Sequence, residues 1–313
     1  MMLLLAACPR SVRSPGGADV LVLAPHPDDE VLMAAGVIDR AVKQGLRVEV
    51  VLVTNGDFTC KRDGRVRQAE TLTALTKLGV EASRVHFLGY PDGHLHELTA
   101  EPLAPFERIN AAGACVRTNE TWSGKPVTST ALLDDLTELL DRLRPADVYL
   151  PHGIDTHRDH AATYVFFRRA LDRLALPTRA HRSVIHRHED LCWPGSCAAP
   201  WQPKEALPPL PFPLDRYTAD ERLPVDATWK LQLISAYPSQ LDAPLEKDWL
   251  AGFARTNEVF FTERYVKREG RMVSDATTSC AGDTCSAQRG DYEELATWKN
   301  GAFDSLRVVS LTR

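Results

Sequence analysis

Short runs of branched apolar residues alternate with amphipathic stretches along the first half of the chain. Asp19–Ala24 (Asp-Val-Leu-Val-Leu-Ala) has no polar position after its first residue, the pattern of a strand covered on both faces. Arg47–Thr54, Arg84–Leu88 and Asp147–Leu150 are further short, mainly apolar runs that read as strands. Between these runs the spacing predicts helices. One opens at Pro27-Asp28-Asp29-Glu30 and closes at Gly45, a second covers about 64–78 before Gly79, a third covers 130–143 before Pro145, and a fourth ends near Leu174. Strands alternating with helices imply an α/β fold that is Rossmann-like, a mostly parallel sheet with helices on both faces. Further on, 226–236 reads as a helix and 257–262 as a strand. Residues 94–129 predict loops and a short helix, and 266–313 an appended hairpin or strand pair.

Eight of the 21 prolines fall between Pro194 and Pro224, so a long surface insertion is expected over about 192–225. The expected organisation is a leader and linker over 1–18, one main domain over 19–265, and a C-terminal extension over 266–313 packed on that domain. With 313 residues, 44% hydrophobic and 25% charged, the composition is that of a globular protein and excludes disorder, collagen and coiled coil. Lys and Arg number 37 against 42 Asp and Glu, a formal net charge of −5, which leaves no basic excess for gripping nucleic acid.

Leu5-Ala6-Ala7-Cys8 matches the lipobox of bacterial lipoproteins, in which Cys8 is lipidated, although the preceding apolar stretch is short. A start codon upstream of Met1 accounts for the shortness; chance in a Leu/Ala run is the other explanation. The remaining six cysteines favour export. Cys192–Cys197 and Cys280–Cys285 share one short spacing with a glycine inside each, which suits local disulfides, and Cys60 and Cys115 remain as a third pair. Six reduced thiols and a four-cysteine zinc site are the alternatives. The expectation is an exported protein, periplasmic, surface-anchored or secreted, that meets a membrane only through an N-terminal lipid.

Two clusters carry the chemistry: Ala24-Pro25-His26-Pro27-Asp28-Asp29-Glu30 after the first strand, and Asp155-Thr156-His157-Arg158-Asp159-His160 after the fourth. In an open parallel sheet the loops beyond the carboxyl ends of strands converge on the ligand. Taken alone, Pro-Asp-Asp-Glu is how many helices begin, with acids favoured by the helix dipole. Two His/Asp clusters at equivalent strand ends instead supply mixed nitrogen and oxygen donors for a metal with an open position. Asn119-Glu120-Thr121 matches a glycosylation sequon of low specificity. Trp193, Trp201, Phe212 and Tyr217 suit loop packing better than sugar stacking, and His181, His186 and His188 read as solvated positions around a strand.

Ala-Pro-His-Pro-Asp-Asp-Glu at 24–30 with His-Arg-Asp-His at 157–160 resembles the PIG-L/LmbE family of zinc-dependent N-acetyl-sugar deacetylases. Thr54-Asn55-Gly56-Asp57, Arg67-Gln68-Ala69-Glu70, Leu88-Gly89-Tyr90-Pro91-Asp92-Gly93 and Lys230 through Ala236-Tyr237-Pro238-Ser239-Gln240 extend the resemblance over about 19–265. Arg158 stands where the family usually has proline. The resemblance implies that His26, Asp29 and His160 bind Zn²⁺, another divalent metal being possible. It implies that Asp28 is the general base, that His157 donates to or neutralises the developing oxyanion, and that Asp159 orients His157. Arg67 and Asp92 are expected at the pocket rim on sugar hydroxyls, and Glu30 as a cap or anchor.

The implied reaction is hydrolysis of an N-acetyl or other N-acyl group on an amino sugar or glycoconjugate. Such a site lowers the pKa of water to about 7 and needs a carboxylate to move protons to the departing amine. The alternatives are a zinc amidase on a non-sugar acyl amide and a catalytically silent carbohydrate-binding lipoprotein.

Overall fold

The computed structural model describes residues 17–99, 106–110, 112–118, 120–121, 124–187, 193–194, 205–208, 219–242, 244–289 and 291–311. Cys8, Trp201, Phe212, Tyr217, His188 and the Cys192–Cys197 pairing lie outside the described residues.

The apolar runs form strands where expected: β1 (Val20–Ala24), β2 (Val48–Thr54), β3 (Val85–Tyr90) and β6 (Asp147–Pro151). The intervening helices are α1 (Asp29–Lys43), α2 (Gly64–Lys77), α3 (Ser129–Leu143) and α4 (Arg158–Leu174). A strand suggested only by its histidines, β7 (Thr178–Ser183), follows α4. Strands β3, β2, β1, β6 and β7 lie side by side in that order, all parallel. The antiparallel β9 (Asn257–Arg268) then pairs with β7, and β8 (Glu221–Pro224) and β10 (Arg271–Ser274) pair with β9.

The alternation within β1 explains why the run is apolar throughout. Val20, Val22 and Ala24 face one core with α1, while Leu21 and Leu23 face the other with α3 and α4. Every β1 side chain is removed from water on one face or the other, which favours a continuous Val/Leu run over a polar–apolar alternation. Helix boundaries follow from side-chain caps. Asp63 accepts from the Arg65 N–H, Thr128 from Ala131 and Asp226 from Thr228 and Trp229, the last opening α5 (Ala227–Ile234). A further helix, α6 (Pro244–Ala251), precedes β9.

Two expectations are corrected. Residues 94–129 hold, besides a 3₁₀ turn at Leu95–Thr99, an antiparallel ribbon of β4 (Phe106–Ile109) and β5 (Cys115–Thr118). Four residues per strand are too few for the alternation to stand out from loop sequence. The C-terminal segment is not a single hairpin but a four-stranded antiparallel meander, β11 (Thr277–Ala281), β12 (Thr284–Arg289), β13 (Tyr292–Lys299) and β14 (Ala302–Ser310). It packs on α4: Trp298 and Phe303 join the α3/α4 core, and the Trp298 indole N–H donates to Asp172 at 2.8 Å. Arg182 of β7, fully buried, pairs with Glu294 of β13 at 3.0 Å and so ties the meander to the main sheet.

Cys60–Cys115 and Cys280–Cys285 are disulfides. The first joins the β2–α2 loop to β5; the second crosses the β11–β12 turn, where the two residues are directly paired. Among the described residues no helix is long and apolar enough to cross a membrane.

Candidate metal centre

Strand β1 hydrogen-bonds to β2 on one side and β6 on the other, so the chain leaves β1 at the point where strand order reverses. Loops diverge there and leave a crevice at the carboxyl ends. The β1–α1 turn and the β6–α4 loop line it, bringing together two motif clusters that lie far apart in sequence.

His26 Nδ1 lies 3.0 Å from Asp29 Oδ2 and 3.2 Å from His160 Nε2, and His160 Nε2 lies 3.1 Å from the same Asp29 oxygen. All three side chains are buried. Ligands held at about 2.0–2.2 Å on tetrahedral corners stand roughly 3.3 Å apart, so this triangle matches a single small cation. Two imidazoles and a carboxylate are also a donor set that Zn²⁺ favours. Charge points the same way. Burial disfavours a charged ring at His160, yet Asp29 and Asp155 raise its pKa to about 9. At His26 burial is likewise overcome, by Asp92, Asp159 and Asp29. The cluster favours positive charge at its centre, which a divalent cation would supply.

The far nitrogen of each histidine is held by a carboxylate. His26 Nε2 meets Asp159 Oδ2 at 3.2 Å and Asp92 Oδ1 at 3.3 Å; His160 Nδ1 meets Asp155 Oδ2 at 3.2 Å. Such contacts fix the tautomer and aim the other nitrogen at the metal position. Asp155 itself accepts from the Ile185 and His186 N–H groups at 2.9 and 3.0 Å.

Asp28 stands at the N-cap of α1, but its side chain makes no capping hydrogen bond, so the helix-start explanation of Pro-Asp-Asp-Glu fails for this residue. Its φ is 120°, a region that side-chain-bearing residues rarely enter and that concentrates at functional sites. Glu30 holds it there, accepting from the Asp28 N–H at 3.0 Å and from the Tyr237 hydroxyl. Glu30 is thus an anchor, and the contact gives Tyr237 of the Ala-Tyr-Pro-Ser-Gln motif its role. Burial raises the Asp28 pKa to about 7; Arg67 opposes the rise, while Asp29 and Glu30 add to it.

One expected role is contradicted and the others are narrowed. The Asp159 carboxylate does not orient His157: it accepts from the Gly93 and Leu95 N–H groups at 2.6 and 2.9 Å and binds His26, because the first turn of α4 directs it towards the β3 end. Only its backbone N–H reaches His157, at Nδ1, 3.3 Å away. With Nδ1 accepting, a neutral His157 carries its proton on Nε2. Neutrality follows from burial and from the neighbouring His26, His160 and His186, which push its pKa down to about 2, so His157 is a hydrogen-bond donor rather than a cation.

Arg67 and Asp92 do line the cavity, but the terminal nitrogens of the one and the carboxylate of the other are engaged by protein groups. Arg67 donates to Gly56 O, Pro27 O, Asp92 and Asp28 at 2.8–3.2 Å, and Asp92 also accepts from the Phe58 N–H at 3.1 Å. They build the wall that positions Asp28 and His26. The close approach needs glycine at 56, where a Cβ would meet Pro27 at 2.8 Å.

His186, read from sequence as solvated, lines the cavity beside His157 and packs 4.5 Å from Trp249. His181 is buried instead, stacked on Tyr149 and paired with Asp147 and Glu221. Trp193 is buried too and donates to Val184 O at 2.9 Å, a packing role. His186 and Asp155 carried no separate signal, since their roles depend on β6 and β7 being neighbours. The cavity has a volume of about 540 Å³ and is lined by His26, Asp28, Asp29 and His157 together with Phe58, Trp249 and Leu250.

Residues 21–171 match the family model described as PIG-L: GlcNAc-PI de-N-acetylase. Two curated relatives, each a 1D-myo-inositol 2-acetamido-2-deoxy-alpha-D-glucopyranoside deacetylase, come from Mycobacterium sp. strains KMS and JLS. Each is 31% identical over 170 residues, 49% of this chain and 50% of the relative. The chain spans about half the length of the curated relatives it matches. Among solved structures, N,N'-diacetylchitobiose deacetylase from Pyrococcus horikoshii is 17% identical with a TM-score of 0.49, covering 78% of this chain and 84% of its own. The conserved protein TT1542 from Thermus thermophilus is 24% identical with a TM-score of 0.45, covering 75% and 84%.

Proposed function

We propose that this protein is a divalent-metal-dependent hydrolase, with Zn²⁺ as its metal, that removes the acetyl group from the nitrogen of an amino sugar or glycoconjugate. The observation that carries the reading is the triangle of His26 Nδ1, Asp29 Oδ2 and His160 Nε2 with Asp28 in the same cavity. The PIG-L match and the two curated relatives, both deacetylases of an acetamido sugar, support the substrate class.

His26, Asp29 and His160 would hold the ion, which supplies a lowered water pKa and a Lewis acid for the amide oxygen. Asp28 takes the proton of the attacking water and passes it to the departing amine; a carboxyl group poised near pH 7 can do both. The His157 Nε2–H donates to the amide oxygen as negative charge gathers there. Arg67 and Glu30 hold Asp28 in its unusual backbone conformation, and Asp92, Asp159 and Asp155 hold the imidazoles. Export to an oxidising compartment belongs to the same proposal, supported by the Cys60–Cys115 and Cys280–Cys285 disulfides.

The test is metal analysis of the purified protein together with acetate release from N-acetylglucosamine, its glycosides and a panel of acyl-amino compounds. One equivalent of zinc and release from the sugars alone is the expected result. Release only from acyl-amino compounds overturns the sugar assignment, and bound zinc without acetate release from any compound overturns the hydrolase.

A further inference from the structure

Three large hydrophobic side chains are exposed among the described residues, Phe58, Val66 and Leu311, and of these Phe58 lines the catalytic cavity. An aromatic ring left 45% exposed costs solvation, and nothing in the main core requires it to be there. Its backbone is more unusual still. Phe58, Thr59 and Cys60 have φ of 44°, 56° and 61°, three consecutive non-glycine residues in the left-handed region. Such residues visit that region singly and at a cost, so a run of three persists only where surrounding contacts impose it.

Those contacts can be named. The Phe58 N–H donates to Asp92 Oδ2 at 3.1 Å, on the same carboxylate that meets His26. The Thr59 N–H donates to Asp57 Oδ1 at 3.2 Å, and its hydroxyl meets His94 Nε2 at 3.0 Å. Cys60 is joined covalently to Cys115 of β5, which anchors the loop to the β4–β5 ribbon. Lys61 Nζ lies 4.7 Å from the Phe58 ring centroid. Together these tethers hold one exposed ring at the wall of a 540 Å³ cavity that His26, Asp28, Asp29 and His157 also line.

We propose that Phe58 is a substrate-binding platform on which the pyranose ring packs its apolar C–H face, and that the Cys60–Cys115 disulfide is a positioning element for it. The assignment of a sugar as the ligand rests on the deacetylase reading above. Ring and disulfide act as one unit: without the bond the loop relaxes from its left-handed run and the ring leaves the cavity.

The experiment measures calorimetric binding of N-acetylglucosamine to zinc-loaded protein, with kcat and KM for acetate release alongside. Phe58→Ala should weaken binding roughly fivefold to tenfold, the loss falling on KM rather than kcat, and Phe58→Tyr should restore it to within about twofold. Cys60→Ser/Cys115→Ser should weaken binding several-fold, and adding Phe58→Ala to that pair should cost almost nothing more, the signature of coupled residues. Tight binding by Phe58→Ala, additive losses, or no sugar binding by the wild-type protein overturns the proposal. Sugar binding that depends on Phe58 without acetate release upholds the platform and overturns the hydrolase; acetate release with binding indifferent to Phe58 does the reverse.

Discussion

Replacing Asp28 by Asn should sharply reduce turnover and, in the metal-free protein, make the fold more stable at alkaline pH. The carboxyl group has a pKa of about 7 in the folded state against an ordinary value of 3.8, chiefly through burial. A group raised in this way stabilises the fold fully below the lower value, and that contribution is lost as pH rises through the upper one. Near pH 8 the folded protein therefore carries an ionised Asp28 at a cost of about three pH units, a ceiling of about 4 kcal/mol at roughly 1.36 kcal/mol per unit. Near pH 5 the cost falls to less than half of that, about 1.6 kcal/mol, because folded Asp28 is already protonated. Asn is neutral throughout and tolerates positive φ better than most residues, so it escapes the penalty. Denaturant melts of chelator-treated wild-type protein and Asp28→Asn at pH 5 and pH 8 measure the gap. A variant less stable than wild type at pH 8, or a gap that does not widen from pH 5 to pH 8, would refute the reasoning. The same variant should lose about 10²- to 10⁴-fold in kcat, the usual worth of a general base, while retaining zinc.

Arg67→Met removes the cation that holds the Asp28 pKa down, so the acid limb of the pH–rate profile should move upward by about one unit or more. An unmoved limb in an active, folded variant counts against Asp28 as the base. Asp155→Asn removes the carboxylate behind His160 and should weaken zinc binding by roughly 10- to 100-fold, read by competition with a chelating dye. Glu294→Ala leaves Arg182 without its bidentate partner in the buried seam between meander and sheet. It should destabilise the fold by about 3–5 kcal/mol in denaturant melts. A loss under about 1 kcal/mol would show that Glu263, 3.4 Å from Arg182, suffices alone.

What was legible in the sequence was whatever depends on neighbours along the chain. The β1, β2 and β6 runs announce themselves because both sheet faces are covered, and α1–α4 because each carries a strong apolar stripe or a clear stop. His26, Asp29 and His160 were legible through motif resemblance, and the two clusters through their positions after strands. The division of labour among the aspartates was not. Asp155 and Asp159 each lie two residues from His157, so the sequence treats them alike. The start of α4 at Arg158 turns one towards His160 and the other towards His26. His186 entered the cavity unannounced because its place is set by pairing of β6 with β7, and β7 is mostly polar in sequence. Arg67 looked like a rim residue for want of any sign that Pro27 O and Gly56 O would take its donors.

The direct pairing of β1 with β6 also has a consequence for how an ion would be captured at the proposed site. Val20 is aligned with Asp147, and the turn that follows each strand delivers part of the donor set. Contacts so far apart in sequence should close late, after the local β1–α1–β2 unit has condensed. In the unfolded chain the two donor clusters stand apart, and His26 with Asp29 alone is an incomplete chelate. Zinc uptake should therefore track completion of the central sheet rather than initiate it, and the lag between secondary structure and metal capture in refolding would be a clock for that one strand pairing.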